Sequence, residues 1–317
     1  MRAVVFAYHD VGVRCLQVLL ARGVEVALVV THDDNPNETI WFASVAALCA
    51  EHGIACIAPP DVAAPEVLAQ VRAAQPDFLF SFYYRHMLPV ALLETAPRGA
   101  FNMHGSLLPK YRGRVPVNWA VLHGETETGA TLHLMVAKPD AGHIVAQTAV
   151  PILPDDTAPE VFAKVVVAAE QTLWRALPDM LAGRTPVMPN ILAQGSYFGG
   201  RRPEDGRIDW QQPAAAVYNL VRAVAPPYPG AWTDLGSDRL IVAAARLLPA
   251  LEAERLQAKE FASKQENPWP GLAVVDNRSL GICGDGGVLL IGSLLHDGGS
   301  VTATGLAALI ARQHSGH

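Results

Sequence analysis

The stretch AVVFAYHDVGVRCLQVLLARGVEVALVV, residues 3–30, holds two short apolar runs rich in valine, 3–7 and 24–30. Between them, over 13–21, apolar residues recur at helical spacing. Strand, helix and strand in so short a span is the repeating unit of a parallel sheet. Outward from it, 40–51 repeats the helical pattern and 77–82 the strand pattern. Phe101-Asn102-Met103-His104 reads as a further strand end, and 116–122 as a helix with proline in its first turn. Strands are expected over 131–136 and 144–150, and a long amphipathic helix over 158–181. The expectation is an α/β fold with a Rossmann-like, mostly parallel sheet covered on both faces.

Composition changes near residue 184. The segment 185–206 is rich in Pro, Gly and Arg, as in a linker that also lines a site. A helix is expected over 214–223, then short strands over 240–245, 272–275, 280–283 and 288–291. Turn residues such as Gly284-Asp285-Gly286-Gly287 separate them. The predicted organisation is a larger domain over 1–188, a linker over 189–207, and a smaller C-terminal β-barrel-like domain of the OB type over 208–317. A length of 317 residues suits two domains.

Half the residues are hydrophobic and 17% are charged, enough for a large core. No apolar run approaches the roughly 18 residues that span a bilayer. The opening apolar stretch stops at His9-Asp10, too soon for a signal peptide, so a cytoplasmic protein with no membrane insertion is expected. With 24 Lys+Arg against 30 Asp+Glu the net charge is −6, which argues against a nucleic-acid partner. Cys15, Cys49, Cys56 and Cys283 form no CxxC pair, and the first three, in apolar surroundings, read as reduced core thiols. The histidines show no zinc-ligand spacing, and no metal is expected.

A dinucleotide reading fails on the first turn. Ala7-Tyr8-His9-Asp10-Val11-Gly12 lacks G-x-G-x-x-G, and no Walker lysine motif occurs. The chemistry is then sought at the carboxyl ends of the strands. The densest polar cluster is Asn102-Met103-His104-Gly105-Ser106-Leu107-Leu108-Pro109-Lys110-Tyr111-Arg112-Gly113-Arg114. Asn102 and His104 are two apart, so on a strand they share a face. A carboxylate follows in Lys138-Pro139-Asp140-Ala141-Gly142-His143-Ile144, a polar turn between apolar strands. By type, these residues suit acyl transfer. An Asn N–H stabilises an oxyanion, His moves a proton near neutral pH, and a carboxylate orients an imidazole and favours its protonated form. The same residues also read as a satisfied core histidine and an aspartate capping a turn.

The cluster 102–113, followed by Asp140-Ala141-Gly142-His143-Ile144, resembles the 10-formyltetrahydrofolate-dependent formyltransferases. Phe6-Ala7-Tyr8-His9-Asp10, Thr31-His32-Asp33-Asp34-Asn35-Pro36, Phe80-Ser81-Phe82-Tyr83-Tyr84-Arg85-His86, Asn118-Trp119, His123-Gly124-Glu125-Thr126-Glu127-Thr128-Gly129 and Phe198-Gly199-Gly200-Arg201-Arg202-Pro203 narrow it. They are similar to the formyltransferase domain of the bifunctional enzymes of polymyxin resistance. The resemblance runs from residue 1 to about residue 290. It implies the formyltransferase fold, with catalysis and folate binding in 1–188.

It also implies formyl transfer from 10-formyltetrahydrofolate to the amine of UDP-4-amino-4-deoxy-L-arabinose. The implied catalytic residues are Asn102, His104 and Asp140. The implied folate contacts are His86, Met87, Leu88, Arg114, Val136, Ala137, Lys138, Pro139 and Asp140. For the nucleotide sugar, Arg201 and Arg202 suit a diphosphate, and Tyr8, Asn219, Arg222 and Tyr228 frame the rest. No decarboxylase domain is present in these residues, so a separate decarboxylase is expected, and an oligomer is compatible.

The rival acceptors are another nucleotide-linked 4-aminosugar and methionyl-tRNA. Against the latter, residues 191–317 carry 11 Lys+Arg and 12 Asp+Glu, a poor surface for RNA. A folate- or nucleotide-binding regulator without activity is the alternative of another class, and a dehydrogenase is remoter for want of a glycine fingerprint.

Overall fold

The computed structural model describes residues 1–36, 38–263 and 270–314. The chain forms two compact units. The first comprises 1–117, 127–151 and 162–200, the second 118–126, 152–161 and 201–317.

The first unit is built on a seven-stranded sheet. Its strands are β1 (Arg2–Ala7), β2 (Glu25–Val30), β3 (Cys56–Ile57), β4 (Phe78–Phe82), β5 (Ala100–His104), β7 (Glu127–Leu134) and β8 (Ile144–Pro151). Two short strands, β6 (Arg112–Gly113) and β9 (Tyr197–Phe198), pair separately. The sheet order is β3-β2-β1-β4-β5-β7-β8. The first five run parallel, and β7 and β8 antiparallel. A turn, not a crossover helix, joins β7 to β8, so the mostly parallel expectation holds with an antiparallel edge. Ala3 to Ala7 have no solvent exposure, as a strand covered on both faces requires. Because the order reverses at β1, the carboxyl ends of β1 and β4 flank a switch point.

The second unit carries β10 (Ala231–Leu235), β11 (Asp238–Leu247), β12 (Gly271–Val275), β13 (Arg278–Ile282), β14 (Val288–His296) and β15 (Gly299–Ser300). Their antiparallel order, β10-β11-β14-β13-β12 with β15 on β14, makes a half-barrel whose described end strands do not pair. The helix Ala214–Ala223 lays Val217, Tyr218 and Val221 on a core with Leu240, Val242, Leu289 and Leu294.

Several elements differ from the sequence expectation. The helix expected over 40–51 begins at Val45, with Ser44 as its cap. Phe42 is diverted to stack on His9, ring centroids 3.9 Å apart. The helix expected over 13–21 starts earlier, at His9. The strand expected over 131–136 begins at Glu127 and ends at Leu134. Strand β10 and the helices Pro65–Ala73, Ala250–Ser263 and Ala303–His314 were not anticipated. No described helix is long and apolar enough to cross a membrane. Cys15, Cys49, Cys56 and Cys283 are free thiols.

Candidate active site at the end of β5

Strand alternation sorts β5 into two faces. Phe101 and Met103, each 1% exposed, enter the core, while Asn102 and His104 share the other face. Asp140 reaches them from the turn between β7 and β8, held in a left-handed conformation (φ 48°) that Asp tolerates. Gly142 presses on the Leu134 carbonyl, where any Cβ would collide, and Asn190 donates to the carbonyls of Asp140 (3.0 Å) and Gly142 (3.1 Å). The turn is thereby fixed.

The three predicted residues converge. Asp140 Oδ1 lies 3.5 Å from His104 Nδ1, and its second oxygen accepts the Gly113 N–H at 2.8 Å. His104 is 6% exposed and donates from Nε2 to the Tyr111 carbonyl at 2.7 Å, since a carbonyl only accepts. With Nε2 bonded to the loop and Nδ1 facing the carboxylate, both ring nitrogens are engaged.

A residue absent from the sequence reading completes the cluster. His133 stands on β7 directly opposite Asn102 and is 2% exposed. Its Nε2 is 3.1 Å from the Asn102 carboxamide nitrogen and 3.4 Å from Asp140 Oδ1, and its Nδ1 donates to the Leu134 carbonyl at 2.8 Å. Asp140 therefore sits between two imidazoles. Burial alone would raise its pKa. The charge of His104, the hydrogen bond and charge of His133 and the Gly113 N–H overcome burial and hold the carboxyl well below the usual carboxylate range. The resulting group offers an amide, two imidazoles and a fixed anion, a set suited to stabilising an oxyanion and moving a proton.

The segments expected to hold the co-substrate lie in the same unit. Leu88 and Met135 pack on one apolar cluster, so the chain at 86–88 and that at 135–137 border a common wall. Met87 and Val136 are 60% and 46% exposed, and His86, Ala137, Lys138 and Arg114 are exposed too. Among the described residues, no backbone hydrogen bond uses His86, Met87, Leu88, Val136 or Ala137. Apolar side chains beside open backbone donors and acceptors fit a flat heteroaromatic ring such as a pterin.

The remaining predicted contacts fall into separate places. In the first unit Tyr8 directly follows β1, donates to Asp34 Oδ1 at 2.7 Å and underlies the Arg85 guanidinium. Burial, then the bond to Asp34, pushes its phenol up. Arg85 in turn forks Glu38 with bonds of 2.6 and 2.7 Å. In the second unit Arg201 lies 4.9 Å over the Trp119 ring and donates to the Asp205 carbonyl at 2.7 Å; Arg202 is exposed. Arg222 is 6% exposed and forks Asn219 Oδ1 at 3.0 and 2.9 Å, and donates to the Asp156 carbonyl. Burial raises the Tyr228 phenol, and its bond to Asn118 opposes that.

A family model described as formyl transferase matches residues 2–177, and one described as formyl transferase, C-terminal domain, matches 201–307. The chain belongs to the formyl transferase family. Among solved structures it is similar to WlaRD, a sugar 3N-formyl transferase in the presence of dTDP and 5-N-formyl-THF. The two share 16% identity over 92% of this chain and 96% of that one, with a TM-score of 0.67. An N-formyltransferase from Helicobacter canadensis, in complex with folinic acid and dTDP-3-aminofucose, matches at 18% identity over 92% and 98%, TM-score 0.66. HypX from Aquifex aeolicus, in complex with tetrahydrofolic acid, matches at 19% over 98% of this chain and 47% of its own, TM-score 0.61. At these identities the likeness is one of fold.

Proposed function

We propose that this chain transfers a formyl group from 10-formyltetrahydrofolate to the amine of a nucleotide-linked aminosugar. We further propose that the acceptor is UDP-4-amino-4-deoxy-L-arabinose, as for the formyltransferase domain of ArnA, in the service of lipid A modification. The observation that carries the reaction is the convergence of Asn102, His104 and Asp140 at the end of β5. The sugar acceptor is supported by the residue strings shared with the ArnA domain, and by neighbours of the same fold that hold dTDP or a dTDP-linked aminosugar.

The folate is assigned to His86, Met87, Leu88, Arg114 and the segment from Val136 to Asp140. When bound it supplies an activated formyl carbon to the neutral amine. Asn102 and protonated His104 donate hydrogen bonds to the formyl oxygen as negative charge gathers there. Asp140, ionised by its neighbours, holds the imidazolium against that charge. As the bond from the formyl carbon to N10 breaks, His104 gives its proton to the departing folate nitrogen, which requires Nε2 to leave the Tyr111 carbonyl, and the amine, cationic after its attack, loses one proton to water. Arg201 and Arg202 are assigned to the diphosphate, with Tyr228 of the same unit as a further contact. Asn219 and Arg222, bonded to each other, shape that region.

Incubation with 10-formyltetrahydrofolate and a panel of UDP- and dTDP-linked aminosugars, with methionyl-tRNA alongside, tests the reading by mass spectrometry. The UDP-4-amino-4-deoxy-L-arabinose product should be heavier by one CO. Formylation of another nucleotide sugar alone would move the acceptor. Formylation of the RNA alone, or of nothing, would defeat the reading.

A further inference from the structure

The proton inventory around His133 bears on which way Asn102 faces. The Leu134 carbonyl only accepts, so His133 Nδ1, 2.8 Å away, carries a proton. Among the described residues, the Asn102 carboxamide has no hydrogen-bond partner other than His133 Nε2, at 3.1 Å. A half turn about its terminal bond exchanges oxygen and nitrogen with little change of shape. The proton on Nε2 therefore selects the end that meets it. A bare Nε2 accepts one Asn102 N–H and leaves a single N–H for a ligand. A protonated Nε2 donates to the carboxamide oxygen and leaves both N–H groups free. An oxygen gaining negative charge is stabilised by donors alone.

We propose that His133 is a positioning residue: as an imidazolium it binds the Asn102 carboxamide oxygen and so leaves the NH2 end, not the oxygen, to meet the formyl oxygen with one of its N–H bonds. This rests on the formyl-transfer reading above. The groups that face His133 are few. Asp140 Oδ1 comes from the turn after β7, 3.4 Å from Nε2, and favours the cation. His104 comes from β5, its ring centroid 6.5 Å away, and opposes a second positive charge. From β8 the register partner is Ile144, which is apolar. One carboxylate oxygen thus serves two imidazoles, His104 as proton donor and His133 as holder of the amide.

His133→Leu removes Nε2, and His133→Gln restores a neutral N–H donor. The leucine variant should lower kcat at least about tenfold while KM for both substrates stays within about twofold. The glutamine variant should recover most of that loss. A folded His133→Leu with wild-type kcat, or a His133→Gln as slow as the leucine variant, would overturn the proposal. Should the leucine variant not fold, nitrogen NMR of the wild-type imidazoles decides. Both His133 nitrogens should be protonated at the pH of maximal turnover, and a bare Nε2 there would overturn it. If wild-type protein formylates nothing, the functional reading fails, while the NMR result still reports on His133.

Discussion

Asn102 and His104 occupy adjacent same-face positions on β5, and their roles separate by chemistry. Asn102 has no proton to give up, so its contribution is electrostatic. Loss of one oxyanion donor costs about 3 kcal/mol, or roughly 10²–10³ in rate. Asn102→Ala and His104→Ala should therefore each lower turnover at least about a hundredfold. Both variants should retain the circular-dichroism spectrum and cooperative unfolding of the parent. Near-normal turnover in either folded variant would remove that residue from the mechanism. Asp140→Asn should lower kcat as well, because a neutral amide cannot favour an imidazolium as a carboxylate does. Steady-state kinetics with both substrates saturating checks this.

At the scale of elements, the site depends on two connections: the loop from β5 to β6 and the turn from β7 to β8. Gly113 joins them, donating its N–H to Asp140 at φ 100°, with the Phe198 carbonyl where a Cβ would stand. Gly113→Ala should destabilise the protein by about 1–3 kcal/mol from the strained backbone alone. It should also reduce activity, as read by urea unfolding and by turnover of the folded fraction. The Asn-x-His pair was legible because strand alternation is local, and Asp140 because a polar turn interrupts two apolar runs. His133 was not. It lies in the apolar run Thr131-Leu132-His133-Leu134, and only the register of β7 on β5 brings it opposite Asn102. A register between strands so distant in sequence leaves no local signal. The misplaced helix start has a similar cause. Trp41 stands four residues before Val45 and so extends the helical pattern, but Trp41 and Phe42 are drawn onto His9 as a loop.

Over the whole molecule, acid sensitivity follows from histidines held neutral. Burial, then the charge of Arg85, lowers His9 from 6.5 to about 3. Burial, then His86 and Arg85, lowers His32 to about 4. The unfolded chain takes up these protons near the ordinary value, whereas the folded chain refuses them until lower pH. The stability they support is therefore complete above about pH 6.5 and is lost progressively as pH falls toward about 4. The thermal unfolding midpoint should drop between about pH 7 and about pH 5, and His9→Asn should flatten part of that slope. Asn suits the site because His9 sits at φ 65°, a conformation Asn adopts readily. An unchanged midpoint over that range would mean both rings titrate as free histidine does.

The alternation of strands and helices and the β-rich C-terminal half were visible before any coordinates, since both rest on local periodicity. The interleaving of the two units, with 118–126 and 152–161 grouped with the C-terminal half, was not, because it depends on contacts between distant segments. Central to the whole account is that one reactive carbon is served by Asn102, His104 and Asp140. A crystal structure of this chain with 5-formyltetrahydrofolate tests it most directly. The account predicts the formyl group within hydrogen-bond reach of Asn102 and His104, with the pterin along 86–88 and 136–139. A pterin bound elsewhere, its formyl group out of reach of both side chains, would contradict it.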